Sequence, residues 1–276
     1  ADGSDIFFEV SSGSFSTSLQ TPENGYAVLD IGQTLTVLGQ ASEECELTLL
    51  VNGTETATSS GTALSYEFEA LDGGQFNLEL VGNNSGSIAS DFATITVLPE
   101  NPITGWPPEG SEDGIHYPSS TSAFLQLHAP GKEFVFVVGD FNDWQLSFEY
   151  LMTQTPDGNK HWIQLDSLMA GSSYRFHYHV MPDDMRVADP YSEVVLDPWN
   201  DQWIPDATYP DLLPFPNMLT ENTPVSILQP GAPEFEWTDS DFDRPSKESL
   251  IIYELLVRDF TEERNYQTIL DTLDYL

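Results

Sequence analysis

SLIIYELLVRDF, residues Ser249 to Phe260, and NYQTILDTLDYL, residues Asn265 to Leu276, decide the expected fold. The first is a nearly unbroken apolar run with Tyr253, Glu254, Arg258 and Asp259 set into it. The second places Tyr266, Ile269, Leu270 and Leu273 at the i, i+3, i+4, i+7 spacing of one helix face. An apolar strand followed by an amphipathic helix opens a βαβ unit, because parallel strands are covered on both faces. Such a strand needs parallel neighbours for its backbone hydrogen bonds, and the residues after it supply none. The expectation is a chain cut from a longer protein whose chemistry lies downstream.

Upstream of that stretch the pattern is β throughout. Residues 1–98 carry short apolar or alternating runs at Tyr26–Leu29, Thr34–Leu38, Leu47–Val51, Leu64–Phe68, Phe76–Val81 and Phe92–Leu98, separated by turn signals every 8 to 14 residues. Asn52-Gly53 after LTLLV predicts a two-residue hairpin, and Asp72-Gly73-Gly74 another turn. Strand count and spacing predict an immunoglobulin-like β-sandwich. Residues 99–118 (PENPITGWPPEGSEDGIHYP) are rich in Pro, Gly and acid and read as a linker. A second sandwich is expected over 119–200, with strands at Ala123–His128, Phe134–Val138, His161–Leu165 and Tyr174–Val180. Residues 201–248 read as an extended Pro- and aromatic-rich connector, and 249–276 as the incomplete βα unit.

Charge narrows the partners. The 276 residues hold 45 acids against 8 bases, a formal −37, and no Lys or Arg precedes Lys132. Such a field repels nucleic acid and anionic lipid and strains the compact state by self-repulsion. Salt relieves it, because the screening length falls from about 10 Å at 0.1 M to about 3 Å at 1 M. The composition therefore fits a salty habitat. With Cys45 alone, neither an intrachain disulfide nor a thiolate metal cluster can form. No apolar stretch approaches the roughly 20 residues of a membrane span.

The sharpest motif is Gly139-Asp140-Phe141-Asn142-Asp143-Trp144, at the end of a predicted strand. Gly139 permits a sharp turn, Asn142 and Asp143 can bond their own backbone, and Trp144 offers a flat apolar face. Such a ring can stack on the C–H face of a sugar. Equally, Phe141 and Trp144 can be core residues closing a sheet edge. Asp239, Asp241 and Asp243 alternate as in a calcium loop, but Arg244 stands where that loop needs glycine and Leu250 where it needs a bidentate acid. His177 and His179 alternate on one strand face without an identifiable third zinc ligand, which favours satisfied strand histidines.

GDFNDW, then YRFHYHV and ADPYSEVVLDPWND, resembles the carbohydrate-binding module of family 48 (isoamylase-type early-set domain) that precedes the barrel in many α-amylase-superfamily hydrolases. IIYELLVRDFT with LDTLDYL is similar to the first strand and helix of that superfamily's (β/α)8 barrel. The domain order resembles secreted amylases of the Bacteroidetes type. The fold class so implied is mainly β: two tandem antiparallel β-sandwiches, then the first strand and helix of a truncated barrel. The resemblance implies a secreted or cell-surface, non-catalytic portion of a retaining hydrolase acting on α-1,4-glucans, whose partners are the glucan and the missing barrel. The alternative is a stand-alone glycan-binding or structural surface module.

For the site, the resemblance makes Trp144 a stacking platform beside Asn142, with Arg175 assisting. The module's second tryptophan is absent, Met185 and Arg186 standing near its place, and Trp199 with Asn200 are the substitutes. No catalytic residue carries over, since a retaining glycosidase needs two carboxyl groups about 5–5.5 Å apart on later barrel strands. Glu254 and Asp259 are read as scaffold and loop residues. No metal or cofactor is expected in these 276 residues, calcium being reserved for the whole enzyme.

Overall fold

A computed structural model describes residues 14–216, 223–233, 235–238 and 241–275. The fold is mainly β, and the chain divides into two compact units. One comprises residues 14–104 with 145–151, the other 105–144 with 152–275.

In the first unit the strands are β1 (Thr17–Thr21), β2 (Tyr26–Leu29), β3 (Thr34–Val51), β4 (Thr54–Glu69), β5 (Gly74–Asn84) and β6 (Ser87–Val97). Thr34–Leu38 and Leu47–Val51, expected as two strands, are the ends of one long strand, β3. Strands β3 and β4 form a hairpin closed at Asn52-Gly53, both residues at positive φ (50° and 74°), with Val51 opposite Thr54. That is the geometry in which turn twist matches strand twist. A bulge between Gln40 and Cys45 lets β3 serve two partners on its other edge. Its residues 38–41 pair with β1 and its residues 46–51 with β5. Strand β5 pairs with β6 antiparallel, and β6 with β2 in parallel.

Val37, Leu47, Leu49, Leu78, Leu80, Ile95 and Val97 are buried together and form the core of this unit. Leu80 lies so close to Gly39 that a Cβ there would fall 2.7 Å from its Cδ2, so any larger residue at 39 would have to displace the Leu80 side chain. Cys45 is half-buried against this core. The segment Gln145–Leu151 belongs to this unit: Thr96 Oγ1 donates to the Leu146 carbonyl (3.0 Å) and Ser147 Oγ to Gln75 Oε1 (2.8 Å).

The second unit contains two sheets. One joins β7 (Gly114–Ser119), β8 (Ser122–His128), β10 (Thr153–Gln154) and β11 (Lys160–Leu165) in the order β10-β11-β8-β7. The other has β12 (Tyr174–Met181) at its centre, paired with β9 (Phe134–Gly139), β13 (Met185–Val187) and β15 (Val225–Leu228), and β14 (Val195–Leu196) beyond β15. Every residue of β9 is buried, so both its faces are covered.

Several expected boundaries move. The linker 99–118 carries β7, whose four-residue alternation is masked by the Pro and Gly around it. The connector 201–248 contributes β15, an integral strand held by the distant β12 and β14, a pairing that no local pattern announces. Across 249–260 no strand forms: Lys247–Ser249 is a 3-10 turn, and α1 (Val257–Phe260) is a single helical turn. Among the described residues no ladder partner pairs with this run to take its backbone hydrogen bonds. The helix expected over 265–276 is α2 (Tyr266–Asp271), started by Asn265 Oδ1 accepting from the Thr268 amide (2.9 Å), with a 3-10 turn at Leu273–Tyr275. Asp239 and Ser240 of the acidic loop lie outside the described residues. Among the described residues no helix is long and apolar enough to cross a membrane.

Candidate functional site

The GDFNDW turn is a closed hydrogen-bonded unit. Strand β9 ends at Gly139, where a Cβ would collide with the Arg175 carbonyl oxygen of neighbouring β12. Asn142 folds back on the strand: its Oδ1 accepts from the Gly139 amide (2.9 Å) and its Nδ2 donates to the Val137 carbonyl (3.0 Å). The Trp144 amide donates to the Gly139 carbonyl (3.0 Å). Asp143 and Trp144 both sit in the left-handed region, at φ 52° and 59°, which costs roughly 1–2 kcal/mol per residue. Burial of the Trp144 ring offsets that strain.

Asp140 is the hub of the turn. Its Oδ2 accepts from the Arg175 amide (2.9 Å) and Nε (2.8 Å), and its Oδ1 from Arg175 Nη2 (2.9 Å) and Trp144 Nε1 (3.0 Å). Burial pushes the Asp140 carboxyl up, but the Arg175 guanidinium, its amide and the Trp144 N–H outweigh it and hold the group below the usual carboxylate range. Arg175 Nη1 donates to the Pro214 carbonyl (2.8 Å), so the guanidinium is engaged on both sides.

Trp144, 9% exposed, packs against His177 with ring centroids 5.5 Å apart. His177 is itself 1% exposed, and neither ring nitrogen has a partner among the described residues. Burial, then the charges of His179 and Arg186, lowers its pKa to about 3, so the ring is neutral. His179 does have a partner, Asp184 Oδ1 at 2.6 Å from its Nε2. Among the described residues no three His, Cys, Asp or Glu side chains converge to hold a metal ion.

The structure therefore brings Asn142, Trp144 and Arg175 together, but as the interior of a turn. The platform role assigned to Trp144 is corrected: its ring faces the core, and the polar atoms of Asn142 and Arg175 are spent on the protein's own backbone and on Asp140. Trp199 and Asn200 lie apart, on the loop after β14. There the Asp197 carboxylate accepts from the Trp199 amide (2.9 Å) and Asn200 Nδ2 (2.5 Å), leaving the Trp199 ring 50% exposed. Glu254 and Asp259 are exposed, and Asp259 pairs with its neighbour Arg258 (2.9 Å).

Asp140, inside the motif, is the residue sequence reasoning passed over. The signal was an acid between a strand-ending glycine and an aromatic, with an arginine in the partner strand. The ADPY segment is structural in the same way. Asp189, fully enclosed, accepts from Tyr178 Oη (2.6 Å) and the Tyr191 amide (2.7 Å), and its own amide donates to Ser226 Oγ (2.7 Å) on β15.

No family model and no curated protein matches the chain. Among solved structures it is similar to the fibronectin(III)-like modules of Clostridium thermocellum CbhA, at 18% identity over 31% of this chain and 96% of that one, with a TM-score of 0.27. It is also similar to Bacteroides uniformis beta-glucuronidase 3 (10% identity, 64% of this chain and 25% of that one, TM-score 0.29). A third is a pullulanase from an Anoxybacillus species, complexed with maltotriose (14%, 62% and 26%, TM-score 0.26). The chain thus spans about a quarter of each of the latter two. At such scores these likenesses carry no argument about what the chain does.

Proposed function

We propose that the chain is the non-catalytic portion of a secreted α-amylase-type hydrolase of α-1,4-glucans. In this reading its β units form two tandem sandwiches that act as a platform for a (β/α)8 barrel whose first βα step is residues 249–276. The observation that carries the reading is the run Leu250 to Leu256. It is mostly apolar and largely exposed, Ile251 at 97% and Ile252 at 86%, and Tyr266, Leu270 and Leu273 of the helical segment are exposed as well. So many large apolar side chains left in water over one segment mark a place where more protein belongs. The closed GDFNDW turn supports a platform over a sugar-binding module, because its ring and polar groups are used internally. The exposed Trp199 ring favours a stand-alone glycan-binding module.

The test compares the 276-residue chain with a form extended by the reading frame that follows Leu276 in its gene. The extended form is expected to release reducing sugar from soluble starch with retention of configuration, and the shorter one to release none. Hydrolysis by the 276 residues alone, or a following frame without βα repeats, overturns the proposal.

A further inference from the structure

In the first unit, the outer face of strands β3, β5 and β6 is covered at one end and bare at the other. Ala93, Ile95 and Val97 of β6 lie in the core, so the residues between them point outward. Gln75 of β5 and Thr96 of β6 stand opposite each other on that outward face, and the segment Gln145–Leu151 of the same unit lies against them. Thr96 Oγ1 donates to the Leu146 carbonyl (3.0 Å) and Ser147 Oγ to Gln75 Oε1 (2.8 Å), with Thr96 and Leu146 both buried. This face therefore already seats one piece of chain.

Further along the same face the cover stops. Leu50 of β3, Glu79 of β5 and Phe92 of β6 form one row, and Glu46, Asn83 and Ile88 form another two steps on, with Val81 between them. Phe92 is 65% exposed and Ile88 70%, while Leu50 and Val81 are half-buried. Apolar residues exposed singly are ordinary, but these four share one face that continues a docked one. The patch measures about 10 Å across the strands and about 13 Å along β6. An α-helix, about 10–12 Å wide and rising about 1.5 Å per residue, spans it in roughly nine residues.

Charge selects the occupant. Glu79 stands between Leu50 and Phe92, and Glu46 shares the row of Ile88. This unit contains no Lys or Arg, so a cation for these carboxylates comes from outside it. A second copy would press the same carboxylates against the face and is repelled. A wholly apolar partner would leave Glu79 desolvated and unpaired. We propose that this face docks a basic amphipathic helix of another protein. Its apolar stripe covers Phe92 and Ile88, and the Lys or Arg beside the stripe reach Glu79 and Glu46. Salt screens the charge attraction, and the apolar contact supplies the remaining affinity. The proposal concerns the first unit alone and does not depend on the hydrolase reading.

The test titrates the whole 276-residue chain into a fluorescein-labelled 14-residue helical peptide with leucines on one face and lysines on the other. Anisotropy in 0.1 M KCl reads the affinity, and saturable binding is expected. Phe92→Ser and Ile88→Ser are each expected to weaken it about tenfold, as truncating an apolar anchor does. Leu38→Ser, an equal change at an exposed part of β3 that pairs with β1, leaves the affinity unchanged. All three side chains are exposed, so folding is retained, as far-UV circular dichroism checks. No saturation, or parental affinity in both Phe92→Ser and Ile88→Ser, overturns the proposal. Equal affinity for a peptide with serine in place of leucine reduces the effect to bulk charge and overturns it too. Equal affinity with glutamate in place of lysine removes the charge argument and does the same. Self-association of the chain that vanishes in Phe92→Ser would assign the face to a second copy instead.

Discussion

Trp144→Ala separates a core tryptophan from a sugar platform, because the two roles predict opposite pairs of results. The ring is buried against His177 and its Nε1–H is bound to Asp140. Removing a buried aromatic side chain costs about 3–5 kcal/mol. Asp140 loses one donor but keeps three from Arg175, so the stranded carboxylate adds at most about 1 kcal/mol. A loss of about 4 kcal/mol lowers the Tm of the second unit by roughly 8–16 °C for a domain of this size. Trp144→Phe keeps the ring contact and drops only the N–H, costing about 1–2 kcal/mol. An exposed platform ring, by contrast, could be truncated within about 0.5 kcal/mol. Thermal unfolding in 1 M KCl, followed by circular dichroism, gives the stability, and titration with cyclodextrin gives the affinity. If Trp144→Ala melts with the parent protein while losing cyclodextrin affinity, the burial argument is wrong.

Three further outcomes follow from the charge and burial pattern. Raising KCl from 0.1 to 1 M, which cuts the screening length from about 10 to about 3 Å, should raise the Tm of the first unit, whose sequence has no Lys or Arg. A flat or falling Tm would remove the salt argument. His177 is depressed to about 3 from its ordinary value, so below pH 6.5 the unfolded chain binds a proton the native ring refuses. Stability should therefore fall with pH, by up to about 1.4 kcal/mol per unit through this residue. In His177→Leu that contribution is gone, and an unchanged slope between pH 6.5 and 4.5 would refute the assignment. Ile251→Asp and Ile252→Asp should each leave the Tm of the 276-residue chain within about 2 °C, since exposed substitutions cost within about 0.5 kcal/mol; a fall of several degrees would mean the run is packed.

Much of the β pattern was legible where local chemistry fixes it. Asn52-Gly53 announced its hairpin because few residues tolerate positive φ at both turn positions. Tyr26–Leu29 was readable as a short apolar run between turn signals. What escaped depends on partners far along the chain. VSIL at 225–228 becomes a strand because β12 and β14 flank it, and GIHY at 114–117 because β8 does. Conversely SLIIYELLV has every intrinsic feature of a buried strand and forms none, since propensity without a ladder leaves backbone groups to water.

The site was legible in its members and not in their direction. Asn142, Trp144 and Arg175 do assemble, as the motif implies, yet a strand-ending turn admits two orientations of its aromatic. Which one is realised depends on whether the indole N–H finds an interior acceptor. Here Asp140 supplies one, and Arg175 neutralises that carboxylate so that it can stay partly enclosed. The acid therefore turns the ring inward, and a GxFNDW variant of this turn lacking it would have less reason to do so. Asp140→Ala is the sharpest probe of that logic. It should free Arg175 and raise the exposure of Trp144, seen as a red shift in tryptophan emission and faster acrylamide quenching. An emission spectrum unchanged in Asp140→Ala would show that apolar packing on His177 alone sets the ring's direction.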